Sequence, residues 1–164
     1  MDAAFRFLHI LEVLARHDVE FIVVGGIAAI LEGAPVSTFD LDVVVRPTAE
    51  DRDRLLEALR ELNARYLDPA GRLILPDRAG LDTMRLHRLV TDSGPLDVLE
   101  SIGHGSTYPD LVGETEVYEI SGLRVRTLRL GMIIRSKEEA NRDKDQATLP
   151  ILRRTLRLKS GASE

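Results

Sequence analysis

The chain has 164 residues, 44% of them apolar, which is enough to bury one ordinary hydrophobic core and predicts one domain over residues 1–158 with a loose tail at 159–164. It contains no cysteine, which excludes disulfides, thiolate metal sites and a cysteine nucleophile. The net charge of −5 argues against a protein that coats nucleic acid, but residues 124–159 carry eleven basic and four acidic groups and all of the lysines, so that part suits an anionic partner.

The first residues lack the pattern of a signal peptide, and no run approaches the roughly 20 apolar residues that cross a bilayer. A cytoplasmic protein without a membrane partner is expected. Asp2 is placed to cap a first helix carrying Phe5, Leu8, Leu11 and Leu14 at helical spacing, ended by Arg16-His17-Asp18. Glu20 to Val24 is rich in β-branched residues and reads as a strand. It stops at Gly25-Gly26, and Ile27 to Glu32 then reads as a short helix ended by Gly33 and Pro35.

Asp40 to Val45 predicts a second strand, stopped by Pro47. Thr48 and Asp51 form a capping box for a helix carrying Leu55, Leu56, Leu59 and Leu62. Between Tyr66 and Gly80 the periodicity fails, and Pro69, Gly71, Pro76 and Gly80 point to an irregular excursion or hairpin. Met84–Val90 and Leu96–Leu99 read as strands joined at Asp92-Ser93-Gly94-Pro95, and Thr115–Thr127 as a hairpin across Ser121-Gly122. Gly131–Ala140 and Gln146–Leu158 read as helices. The sum is a mixed α/β or α+β fold, with helices on one side of a mixed sheet and a helical C-terminal segment.

Residues two apart on a strand share a face, so Asp40 and Asp42 project together while Leu41 and Val43 turn to the core. Two like charges held close call for a cation or a proton, and hard oxygen ligands in an open site suit Mg2+ or Mn2+. Gly25-Gly26 between strand and helix lets backbone N–H groups approach an oxyanion, as a phosphate requires. His104, between two glycines, reads as a surface-loop residue and Tyr108 as a packing anchor; His17 and His87 have no motif around them.

Gly25-Gly26 followed by Asp40-Leu41-Asp42 resembles the signature of the DNA polymerase beta-like nucleotidyltransferase superfamily. That signature adds a third acidic residue on a neighbouring strand, for which Asp97 is the first candidate and Asp92 the second. Gly122 to Arg126, Ile134 to Lys137 and Asn141 to Asp145 are similar to the C-terminal part of prokaryotic nucleotidyltransferase-like proteins related to abortive-infection toxins. The resemblance spans roughly residues 21–152. It implies that Asp40, Asp42 and Asp97 hold the metal, with Asp97 on the nucleophile side taking the hydroxyl proton. It further implies that Gly25, Gly26, Ser37, Thr38, Lys137, Arg142 and Lys144 bind a nucleoside triphosphate near Asp145. The implied acceptor is a hydroxyl of an RNA end, a protein or a small molecule, and the implied partners include a second copy or another protein. Relatives often carry an arginine shortly before the aspartate pair; this chain has Val36-Ser37-Thr38-Phe39 there. A catalytically degenerate binding module, for example one component of a toxin–antitoxin pair, is the alternative.

Overall fold

The computed structural model describes residues 3–161, and their side chains from residue 6 onward. The expected Asp2 cap and the Phe5 side chain therefore lie outside the described residues. In chain order the elements are α1 (Ala3–Arg16), β1 (Phe21–Val24), α2 (Gly25–Leu31), β2 (Leu41–Val45), α3 (Ala49–Glu61), β3 (Arg65–Tyr66), α4 (Arg78–Thr83), β4 (Leu86–Thr91) and β5 (Gly94–Leu99). They continue with β6 (Ser101–Ile102), β7 (Ser106–Thr107), α5 (Tyr108–Leu111), a 3-10 turn at Val112–Glu114, β8 (Thr115–Ile120), β9 (Leu123–Leu128), α6 (Leu130–Ala140) and α7 (Asp143–Lys159).

Seven strands form one sheet in the order β3-β4-β5-β2-β1-β9-β8, and β6 pairs with β7 in a separate hairpin. The sheet is mixed: β2 runs parallel to β5 and β1 parallel to β9, while the remaining neighbours are antiparallel. This is the mixed α/β architecture that the alternation of strand and helix patterns predicts. The interior strand β1 is buried along its whole length, as a Phe-Ile-Val-Val run demands. One core joins Ile10 and Leu14 of α1, Leu55 and Leu59 of α3, Leu41 and Val43 of β2, Leu96 and Val98 of β5, Ile133 of α6 and Leu149 of α7. Among the described residues no helix is long and apolar enough to cross a membrane.

The Thr48 cap forms as the sequence predicts: its side chain accepts from Asp51 N–H. Asp51 is fully buried beneath it. One Asp51 oxygen accepts from Glu20 N–H at 3.0 Å, and the other from Arg46 Nε at 2.6 Å and from the Thr48 hydroxyl. One carboxylate thus ties the start of β1 to the end of β2 and the start of α3.

The structure differs from the expected elements where short local signals compete. The stretch up to Gly80 is not wholly irregular: β3 pairs with β4, and α4 starts at Asp77, whose carboxylate accepts from Gly80 N–H at 2.7 Å. That cap overrides the helix-weakening glycine. Gly94-Pro95 opens β5 instead of lying in the turn, and Asp40 precedes β2 instead of starting it. Helix α7 begins at Asp143 and runs through Lys159, where a loose tail was expected; Lys159 Nζ reaches the buried Glu32 at 2.9 Å.

Candidate functional site

Strand register assembles the site. Asp42 pairs with Val24 of β1 on one side and with Asp97 of β5 on the other, and Asp97 pairs in turn with Arg88 of β4. Directly paired residues project to the same face, so Asp42, Asp97 and Arg88 form a row across three adjacent strands. Leu41, Val43, Leu96 and Val98, which alternate with the two aspartates, are buried at 0–3% exposure. Apolar neighbours on both sides therefore fix the direction of each carboxylate.

The glycine turn closes over this row. Gly25, at the end of β1, has φ +67°, and a Cβ there would lie 2.2 Å from Asp42 Oδ2. A Cβ on Gly26 would lie 2.6 Å from Thr38 Cβ and 2.7 Å from its hydroxyl oxygen. Only glycines allow the opening turn of α2 to sit this close to Asp42 and Thr38. The Thr38 hydroxyl donates to Asp40 C=O at 3.3 Å. Ser37, Phe39 and Asp40 are not buried, and Phe39 is 85% exposed.

Burial, followed by the charges of Asp97 and Asp40, pushes the Asp42 carboxyl up to about 7, and Lys144 pulls against that rise. Asp97 is also raised, by burial and by Asp40, while Arg88, a hydrogen bond shared with Asp42 and Lys144 hold it lower. Both carboxyls thus resist ionising together, Asp42 the more strongly. Two crowded carboxylates with a third acting on both form a donor set that a hard divalent cation would relieve. Among the described residues, however, no group of three or more acidic or imidazole side chains is placed so that together they could hold a metal ion. Asp42 and Asp97 are in contact, and the exposed Asp40 acts on them by its charge.

The basic residues divide into two sets. Asp145 is fully buried at the start of α7 and accepts from Arg142 Nε at 2.7 Å, Arg142 N–H at 3.1 Å and Lys137 Nζ at 3.3 Å. Burial raises its carboxyl, but these donors hold it below the usual range. Lys137 and Arg142 are therefore anchored on Asp145, and the exposed Lys144 is the member of the cluster whose charge acts on Asp42 and Asp97. Asp92 is not drawn in: it lies at the β4–β5 turn, where Asn63 Nδ2 donates to it at 2.6 Å.

His104 is exposed and held by Glu139, and the buried Tyr108 donates to Glu20, in keeping with loop and packing roles. His87 is buried, its Nδ1 2.7 Å from the Tyr66 hydroxyl. Arg88 escaped the sequence reading because no motif marks it; only the pairing of β4 with β5 brings it beside Asp97.

No protein-family model matches the chain, and no curated protein matches it significantly by sequence. Solved structures do. One is the crystal structure of a Thermotoga maritima protein designated a candidate nucleotidyltransferase, with 18% identity over 90% of each chain and a TM-score of 0.59. Another is the solution structure of the antibiotic-resistance factor ANT(2'')-Ia, with 16% identity, 95% of this chain and 86% of the other covered, and a TM-score of 0.60. At such identities the likeness is one of fold, and the chain adopts a nucleotidyltransferase-like fold.

Proposed function

We propose that this chain transfers a nucleoside monophosphate from a nucleoside triphosphate to a hydroxyl acceptor. The observation that carries the reading is the facing pair Asp42 and Asp97 with Gly25 seated directly on Asp42. Asp42, Asp97 and Asp40 would hold Mg2+ or Mn2+, which when bound supplies charge neutralisation and Lewis acidity at the phosphates. The open N–H groups of Gly25 and Gly26, the nearby Thr38 hydroxyl and Ser37 would cradle the outer phosphates, with Lys144 countering their charge. Lys137 and Arg142 contribute mainly by fixing Asp145 and hence the start of α7 that carries Lys144. The acceptor O–H attacks the α-phosphorus, the bond to the β-phosphate oxygen breaks, and pyrophosphate leaves. Asp97 is the carboxylate on the far side from the glycine turn, and it takes the acceptor proton.

The test is incubation with each α-labelled nucleoside triphosphate, Mg2+ or Mn2+, and total RNA or cell extract. Metal-dependent label on an acceptor, lost in Asp42→Asn, is expected. Failure of transfer together with failure of the triphosphate to raise the melting temperature would defeat the reading. One feature favours a second reading, a non-catalytic binding module: the loop before Asp40 presents Phe39 and no cation. That module would hold its partner unchanged in Asp42→Asn, whereas the enzyme would lose transfer.

A further inference from the structure

We propose that Arg88 grips the acceptor and that the acceptor carries a phosphate group beside the hydroxyl that reacts. This deepens the transfer reading and rests on it. The row across the sheet has two distinct ends. At one end, past Asp42, stand Gly25, Gly26 and α2, against which α6 packs. At the other end, past Asp97, stands β4 with Arg88, and the Arg88 carbonyl accepts from Leu67 N–H at 3.2 Å, which carries the row to the segment after β3. A triphosphate held by the glycine turn leaves the β4 end for the acceptor.

The chemistry of that end is narrow. On the face shared with Asp97, β4 presents Leu86, Arg88 and Val90, which pair with Leu99, Asp97 and Pro95 of β5. Arg88 is the one cation among these six positions, and apart from Asp97 the others are uncharged. Its guanidinium is exposed and makes no hydrogen bond or ion pair with any described residue, so its donors are open to a ligand. Adjacent strands lie about 5 Å apart, so the arginine root stands one strand from the carboxylate that takes the proton. A planar guanidinium at that separation suits a phosphate adjoining the reactive hydroxyl, which it would bind through two parallel donors. A polycationic acceptor would meet a like charge at this end of the row, where the two aspartates stand further in, towards the glycine turn. A phosphodiester at a nucleic-acid end and the phosphomonoester of a small sugar phosphate share this chemistry.

The experiment measures acceptor binding to the full chain by calorimetry, with Mg2+ and an α,β-methylene nucleoside triphosphate present, for a short RNA with a free 3'-hydroxyl, ribose 5-phosphate and kanamycin. Wild type should bind at least one phosphate-bearing probe more tightly than kanamycin. Arg88→Ala should weaken that probe at least tenfold, Arg88→Lys should restore part of it, and stabilisation by the triphosphate should be unchanged. Wherever transfer is measured, the acceptor KM should rise more than kcat falls. Binding of RNA alone would identify a nucleic-acid end, and binding of ribose 5-phosphate alone a small molecule. Preference for kanamycin, no binding of either phosphate-bearing probe, or equal affinity in Arg88→Ala would overturn the proposal while leaving nucleotide transfer standing. Loss of triphosphate stabilisation in wild type would instead defeat the transfer reading itself.

Discussion

Asp42 on β2 and Asp97 on β5 face each other across a parallel strand pair, half-buried, with Arg88 next in line beyond Asp97. Such a pair is unfavourable for the metal-free fold, because desolvation and like charge act together. Replacing one member should relieve that cost. Asp97→Asn is expected to raise metal-free stability by about 1 kcal/mol while reducing transfer at least about a hundredfold. Denaturant midpoints with and without Mg2+ check the first half: wild type should gain from the ion, and the variant should gain much less. A variant less stable than wild type without metal would show that the pair is held by favourable bonds instead.

The two glycines should separate folding from binding. Gly25→Ala puts a methyl group 2.2 Å from Asp42 Oδ2 at a φ of +67°, so both backbone strain and collision oppose it. A loss of about 2 kcal/mol is expected from these two costs. Gly26 has no such φ, and its added Cβ would press on the Thr38 side chain, which lies in an open loop that can move. Gly26→Ala should therefore cost less stability and lose most of the triphosphate's thermal stabilisation. Equal melting temperatures for the two variants would contradict this division.

Asp145 should behave as a structural keystone for Lys144. Its fully buried carboxylate collects two cationic side chains and one N–H, so Asp145→Ala leaves Lys137 and Arg142 without their counter-charge. Loss of about 1–3 kcal/mol is expected when hydrogen bonds to a buried charged group are removed and the cations left behind can turn to water. Urea unfolding measures it, and amide exchange at the first turn of α7 should rise before that of β1. A change within about 0.5 kcal/mol would place Asp145 among surface charges of no consequence.

Much of this arrangement is legible in the residues themselves. The β-branched run of β1, the Thr48 cap and the Ser121-Gly122 hairpin are local signals, and each appears in the structure where its residues predict it. The Gly25-Gly26 and Asp40-Leu41-Asp42 pattern likewise marks two segments that the fold brings into contact. Helix α5 also had a readable signal: Asp110 accepts from the N–H and hydroxyl of Thr107, a cap spaced like that of Thr48 and Asp51. Arg88 had none. Its place depends on β4 pairing antiparallel to β5 in one register, and a shift by one residue would turn it away from Asp97. Nor does the chain show that Lys137 and Arg142 are claimed by Asp145 while Lys144 stays open, since that division follows from which carboxylate the fold buries.

Asp51 gives the fold a defined acid limit. Burial pushes its carboxyl up, but hydrogen bonds from the Thr48 hydroxyl, Arg46 and Glu20 N–H outweigh burial and hold it below its ordinary value. The unfolded chain, whose aspartates titrate near about 3.9, then takes up the proton at higher pH than the native state does. Asp51 therefore stabilises the fold fully above the unfolded value, and its contribution is lost as pH falls through the lower, folded value. Asp51→Asn keeps the shape but loses the charge, so it should be less stable at pH 6 by about 1–3 kcal/mol, with the difference narrowing below about pH 4. Thermal unfolding from pH 3 to pH 6 measures both curves. Parallel curves over that range would show that Asp51 acts through shape alone, because a carboxylate whose charge contributes must lose that contribution once both states are protonated.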